Sequence, residues 1–204
     1  MAGTRLVLAS NNAKKLAELQ ALFEPLGLAL VTQGSLGIGE AEEPHVTFVE
    51  NALAKARHAA QHAGGAAISD DSGLCVDALG GAPGVLSARY ATLFGRPRDD
   101  AENNRVLLEQ LAPHADRRAR FVSALVAVRS ADDPEPLIAF GRWEGEVLTA
   151  PRGDQGFGYD PLLFIPALGR GVAELGAAEK NAHSHRAIAA RQMLALMREA
   201  WRLG

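Results

Sequence analysis

Leu6-Val7-Leu8-Ala9-Ser10-Asn11-Asn12-Ala13-Lys14-Lys15 changes its period halfway along. A short apolar run ended by small polar residues is the signature of a buried strand entering a loop. From Ala13 onward, Leu16, Leu19, Leu22 and Phe23 fall at helical spacing. Asn12 is placed to cap that helix, and Pro25 and Gly27 to stop it. A strand that hands over directly to a helix opens an α/β fold. The junction gathers backbone N–H groups and the positive end of the helix dipole, which suits an anion. Ser10, Asn11, Asn12, Ala13, Lys14 and Lys15 add hydroxyl, amide and ammonium donors, as a polyphosphate tail requires. The plainer alternative is an N-cap followed by surface lysines. Neither GxxxxGK[ST] nor a post-strand GxGxxG is present, which excludes a P-loop and leaves a dinucleotide fold unsupported.

Outward from this junction, a second strand is expected over 28–32 and an irregular loop over 33–44, carrying Glu40, Glu42 and Glu43. Thr47 and Glu50 have capping-box spacing and open a helix that runs to about His62. A short strand over 66–69 should end at Asp70-Asp71-Ser72-Gly73. Asp99 starts another helix that ends near Leu111. Strands over 121–128 and 137–147, joined by Asp132-Asp133-Pro134, read as an antiparallel hairpin. A short strand over 162–165 follows. Ser184 is placed to cap a last helix with Ala190, Leu194, Met197 and Trp201 on one stripe. Helices interleave with strands early and a hairpin comes later, so a mixed α/β sheet is expected. No repeat, low-complexity tract or domain-separating linker interrupts the 204 residues.

Composition removes several classes. The chain is 48% hydrophobic and 22% charged, which is ordinary for a globular protein. A formal charge of −3 argues against a general nucleic-acid surface. Cys75 is the only cysteine, so an intrachain disulfide and a cysteine-built zinc site are excluded. No apolar run approaches the roughly 20 residues of a membrane span. Met1-Ala2-Gly3-Thr4 leads straight into the first strand without a signal-peptide pattern, so the cytoplasm is the expected location. Among the 21 basic residues only Lys14, Lys15, Lys55 and Lys180 are lysine. Codon bias accounts for abundant arginine. A retained lysine can also mark a place where a compact ammonium is needed.

Several clusters carry chemistry, each with a plainer alternative. Neighbouring carboxylates on a strand point to opposite sides, so one of Asp70 and Asp71 can brace the backbone while the other binds a hard cation or acts as a base. Asp99-Asp100 and Asp132-Asp133 are acidic doublets that read instead as a cap and a turn. Lys55 shares a helix face with Asn51. His58 and His62 have the spacing of zinc ligands, but no third ligand is signalled and an exposed helix face is the better reading. In Gly156-Phe157-Gly158-Tyr159-Asp160-Pro161, glycines flank an aromatic that could offer its face to a base or simply fill a core. Lys180, Ser184, His185 and Arg186 follow as a basic cluster.

Together these segments resemble the inosine triphosphate pyrophosphatase family, the non-standard purine nucleoside triphosphate pyrophosphatases. The matching stretches also include Thr47-Phe48-Val49-Glu50-Asn51-Ala52, Gly80-Gly81-Ala82-Pro83-Gly84 and Ser87-Ala88-Arg89-Tyr90, in family order from residue 8 to residue 186. Glycine stands in many members where this chain has Asn11 and Lys14. The resemblance implies an elongated mixed β-sheet with helices on both sides, in a single domain whose two lobes flank a central cleft. It implies Mg²⁺-dependent hydrolysis of ITP, dITP or XTP to the monophosphate and pyrophosphate, usually by a homodimer; the charge and hydropathy above point to no nucleic-acid or membrane partner. By the same resemblance Asp71 is the general base and a metal ligand, and Glu42 is the second metal carboxylate. Ser10 to Lys15, Lys55 and Ser72 contact phosphate and substrate. Phe157, Gly158, Tyr159, Asp160, Lys180, His185 and Arg186 form the base and sugar pocket. A non-catalytic nucleotide-binding module and a pyrophosphatase of other base preference are the alternatives.

Overall fold

β1 (Arg5–Leu8) is flanked by two parallel neighbours, β2 (Ala29–Thr32) and β3 (Ala67–Val76), in a computed structural model that describes residues 5–24 and 27–202. Leu6 pairs with Leu30, and Leu8 with Ile68. β4 (Arg118–Val128), β5 (Leu137–Val147), β6 (Leu163–Ile165) and β7 (Arg170–Gly171) complete a seven-stranded sheet of order β2-β1-β3-β4-β5-β6-β7. β6 runs antiparallel to both β5 and β7. The sheet is therefore mixed and the fold α/β.

The chain forms two compact units. The first contains the chain up to Asp71, Ser123–Gly141 and the chain from His185. Its strands are apolar on both faces because helices cover both. Leu6 and Leu8 join Leu19 and Phe23 of α1 (Ala13–Phe23) and Met193 and Met197 of α5 (His185–Ala200) in one cluster. Val7 and Ala9 point the other way, into Ala52, Ala56, Ala59 and Ala60 of α2 (Phe48–Ala63). The alanines let that helix lie close to the strands.

The second unit contains Ser72–Val122 and Arg142–Ser184. Leu107 and Leu111 of α3 (Asp100–Leu111) pack with Leu74, Val76, Phe121, Trp143 and Leu163. α4 (Ala177–His183) closes this unit. Among the described residues no helix is long and apolar enough to cross a membrane.

Most expected elements are present within a residue or two. Asn12, Thr47 and Asp99 cap their helices as their spacing predicts. Strand 137–147 is found as read, and β4 starts three residues early, at Arg118. The Pro25 stop signal and Met1-Ala2-Gly3-Thr4 lie outside the described residues. Two readings are corrected. The loop over 33–44 begins with a 3₁₀ turn, Gln33–Leu36, whose first free N–H group is met by the Thr32 hydroxyl. Gly84–Phe94 and α4 add helical turns that carried no clear period.

The second correction is β3, which does not stop at Ser69 but runs through Asp70-Asp71-Ser72-Gly73 to Val76. Gly73 looks like a turn residue in the sequence. Its actual reason is close approach: a Cβ there would lie 2.4 Å from the Gly84 carbonyl and the Ser87 hydroxyl.

Candidate functional site

In the first unit the junction between β1 and α1 is built around Asn12. Its Oδ1 accepts the N–H groups of Lys14 at 3.0 Å and Lys15 at 3.2 Å, while the Ser10 hydroxyl accepts the Asn12 N–H at 3.1 Å. Two of the backbone donors expected to be free are thus taken by the cap. An anion here meets side chains and the helix dipole, and reaches those N–H groups only by displacing Asn12. Asn11, Asn12, Ala13 and Lys14 are exposed, and Ser10 and Lys15 are half-buried. Asn11 lies against Gly34, where a Cβ would sit 2.4 Å from its Oδ1.

The alternation of β3 sends its two aspartates to different partners. Asp70 is buried. Its Oδ1 accepts from the Ser123 hydroxyl at 2.7 Å, and its Oδ2 meets the Lys15 ammonium at 3.0 Å and Arg186 Nε at 3.3 Å. Burial by itself would raise this carboxyl, but Lys15, Arg186 and the Ser123 hydroxyl outweigh it and hold the group well below the usual carboxylate range. Arg186 is itself buried and reaches Glu18 with Nη1. Lys15 of α1, Asp70 of β3 and Arg186 of α5 are therefore fixed as one network.

Asp71 faces α2. Lys55 Nζ lies 2.8 Å from Asp71 Oδ1, 2.6 Å from Glu43 Oε1 and 3.2 Å from the Asp70 carbonyl. One ammonium is shared by two carboxylates. Burial favours a neutral Lys55, yet Asp71 and Glu43 outweigh it and its pKa is raised. Burial raises Asp71, and its half-share of Lys55 does not restore the usual value, so its pKa is raised as well. The second oxygen of Asp71, Oδ2, is buried without a hydrogen-bond partner.

A hard divalent cation suits this arrangement. Mg²⁺ keeps most of its waters and is held through one or two carboxylates, so an orphaned carboxylate oxygen with an acidic neighbour meets its needs. Among the described residues no group of three or more His, Cys, Asp or Glu side chains is preassembled for a metal. The loop carboxylate brought to Asp71 and Lys55 is Glu43. Glu42, expected from the sequence, is exposed. Asn51 sets this loop: its Oδ1 accepts the His45 N–H at 3.0 Å and its Nδ2 donates to the His45 carbonyl at 3.1 Å. The sequence signalled Asn51 only as a face-mate of Lys55.

His185 and Arg186 open α5, and both are buried. The helix start is pressed onto β5 at Gly141, where a Cβ would come within 1.9 Å of the His185 carbonyl. Any larger residue at 141 would push this turn outward. Ser184 separates α4 from α5, its own N–H bonded to the Lys180 carbonyl at 2.8 Å.

The second unit carries the aromatic loop. Asp160 is buried and ties the loop together: its Oδ2 accepts the Phe157 N–H at 2.9 Å and meets Lys180 Nζ at 2.7 Å. The same ammonium lies 4.7 Å from the centroid of the Phe157 ring, a cation–π distance. Phe157 and Gly158 are half-buried. Tyr159 is buried, donates to the Ser87 carbonyl at 2.9 Å, and has its phenol pushed up by burial. Ser72 is half-buried at the point where β3 enters this unit.

Lys15, Lys55 and Lys180 each pair with a buried aspartate, Asp70, Asp71 and Asp160 respectively. A carboxylate with one unpaired oxygen can take a proton from water, lysines can neutralise phosphate, and an aromatic beside an ammonium can receive a planar base.

Comparison with known proteins agrees with this chemistry. The profile of the Ham1 family matches residues 6–196. A dITP/XTP pyrophosphatase of Methylibium petroleiphilum is 70% identical, over 97% of this chain and 99% of the relative. One from Ralstonia nicotianae is 64% identical, over 95% and 96%. Among solved structures, a HAM1 protein from Coxiella burnetii matches with a TM-score of 0.89 at 45% identity, covering 96% of this chain and 99% of that one. A nucleoside-triphosphatase, dITP/XTP pyrophosphatase, from Mycobacterium abscessus matches at 0.73 and 43%, covering 95% and 98%. The chain belongs to the Ham1 family.

Proposed function

We propose that the protein is a nucleoside triphosphate pyrophosphohydrolase that removes non-standard purine nucleotides, ITP, dITP and XTP, from the nucleotide pool. Water adds at phosphorus, the bridge between the α- and β-phosphates breaks, and the nucleoside monophosphate and pyrophosphate leave. The observation that carries this reading is Asp71, with one oxygen on Lys55 and the other buried without a partner. Asp71 takes the proton of the attacking water. Its raised pKa makes it a better proton acceptor than an exposed carboxylate. By the family resemblance Asp71 with Glu42 would hold Mg²⁺, with Glu43 beside them on Lys55; when bound, the ion neutralises phosphate charge and makes pyrophosphate a better leaving group. Lys15, Lys55, Ser10, Asn11, Asn12, Ala13, Lys14 and Ser72 are assigned to the phosphates.

Phe157, Gly158, Tyr159, Asp160, Lys180, His185 and Arg186 are assigned to the base and sugar. Inosine and xanthine present a keto oxygen at the purine 6-position, and adenine an amino group. A donor fixed there, such as the Arg186 guanidinium held by Asp70 and Glu18, pairs with the first and is stranded by the second. A stranded buried donor costs about 1–3 kcal/mol, so sites of this kind discriminate well. We propose that the enzyme works as a homodimer, on the strength of the family resemblance.

Chromatography of the products from ITP with Mg²⁺ tests the reaction. IMP and pyrophosphate are expected in equal amounts. IDP with phosphate would overturn the bond assignment, and tight binding without turnover would indicate a binding module.

A further inference from the structure

Asp100 and Asn104 lie one turn apart on α3, outside the residues assigned above to substrate, and both grip the aromatic loop at Gly158. Asp100 Oδ2 accepts the Gly158 N–H at 2.9 Å, and Asn104 Nδ2 donates to the Gly158 carbonyl at 3.0 Å. An i,i+4 pair on one helix face thus holds both peptide groups that flank a single α-carbon. Gly158 has φ +60, the left-handed region, with open space where a Cβ would be. The backbone reverses here immediately after Phe157. On the other side of Phe157, its own N–H is held by Asp160, which also fixes Lys180.

We propose that Asp100 and Asn104 are positioning residues for purine recognition: α3 clamps the Gly158 peptides so that the Phe157 ring is presented in one fixed orientation. This inference rests on Phe157 receiving the base. The two side chains do different jobs. At 100 an acceptor is needed, which asparagine also supplies. At 104 a donor is needed, which aspartate lacks and which would be replaced by repulsion against the Gly158 carbonyl. The ring is already ordered before substrate arrives, so less conformational entropy is lost when the base stacks on it. Without the clamp that cost returns and falls on base binding, not on the chemistry at the phosphates.

The test is steady-state kinetics on ITP for D100A, D100N, N104A and N104D, with inhibition by inorganic tripolyphosphate, which has no base, measured in parallel. Losing one such hydrogen bond should raise KM for ITP about fivefold, with kcat within about twofold of wild type. The tripolyphosphate inhibition constant should be unchanged. D100N should recover most of what D100A loses, and N104D should be at least as impaired as N104A. Asp100 is exposed in the first turn of α3, so D100A carries the test if N104A does not fold. An unchanged KM in D100A and N104A would overturn the proposal, as would an equal loss for tripolyphosphate or a D100N no better than D100A. A wild-type enzyme that does not turn over ITP would instead refute the functional reading beneath it.

Discussion

Asp71 and Glu43 share the ammonium of Lys55, and this sharing leaves the two aspartates of the pair in different states. Asp70 is saturated by Lys15, Arg186 and Ser123, while Asp71 keeps an oxygen in reserve. Asp71→Asn should lower kcat for ITP by about 10²–10⁴ while ITP still binds, as isothermal calorimetry with the variant can check. Lys55 makes its three contacts from a single nitrogen. A planar, longer guanidinium cannot reproduce that geometry, so K55R should lose about tenfold or more in kcat/KM despite its unchanged charge. Of the four lysines, Lys15, Lys55 and Lys180 stand where the resemblance expects substrate contacts, and each pairs with a buried aspartate. That Glu43, and not Glu42, reaches Lys55 was not readable. Neighbours in an aperiodic loop differ only in where the backbone turns, and Asn51 holds this loop at His45. Glu18 carried no signal beyond lying three residues after Lys15.

Elements were readable where a cap or a period marks them. α1, α2 and α3 start at Asn12, Thr47 and Asp99, whose side chains meet the first free N–H groups. β3 was cut short because Gly73 carries the same letter whether it turns the chain or admits a neighbour. The connection between β4 and β5 shows a turn that does structural duty. Asp133 is buried and accepts from the N–H groups of Arg129 at 2.8 Å and Glu135 at 3.0 Å, and from the Arg129 guanidinium. D133A strands those backbone donors and should destabilise the protein by about 1–3 kcal/mol. The Arg129 hydrogen bond, above all, holds the Asp133 carboxyl well below the usual range. Its stabilisation is therefore fully present above the unfolded-state pKa, about 4, and is lost as pH falls below that value. Urea unfolding at pH 7 and pH 3 checks this. The difference between wild type and D133N should shrink at the lower pH, and an equal difference at both would contradict the assignment.

At the scale of the whole molecule, the chain enters the first unit three times and carries a different part of the proposed chemistry on each visit. The first brings the residues of α1 and α2 assigned above to phosphate, with Asp70 and Asp71. The second brings Ser123, which holds Asp70, and Gly141, which admits α5. The third brings His185 and Arg186. The aromatic loop and Lys180 belong to the second unit. A mixed sheet follows from interleaved helices and strands followed by paired strands, so the fold class was readable from pattern alone. The return of the last helix to the first strands was not, because it depends on the contact between Gly141 and the start of α5, which no local signal announces. The central claim is that these parts select a 6-keto purine and release pyrophosphate from it. The most direct measurement is kcat/KM for ITP and ATP side by side, with Mg²⁺ and pyrophosphate detection. ITP should be preferred by about tenfold or more. Equal values for the two nucleotides would contradict the account.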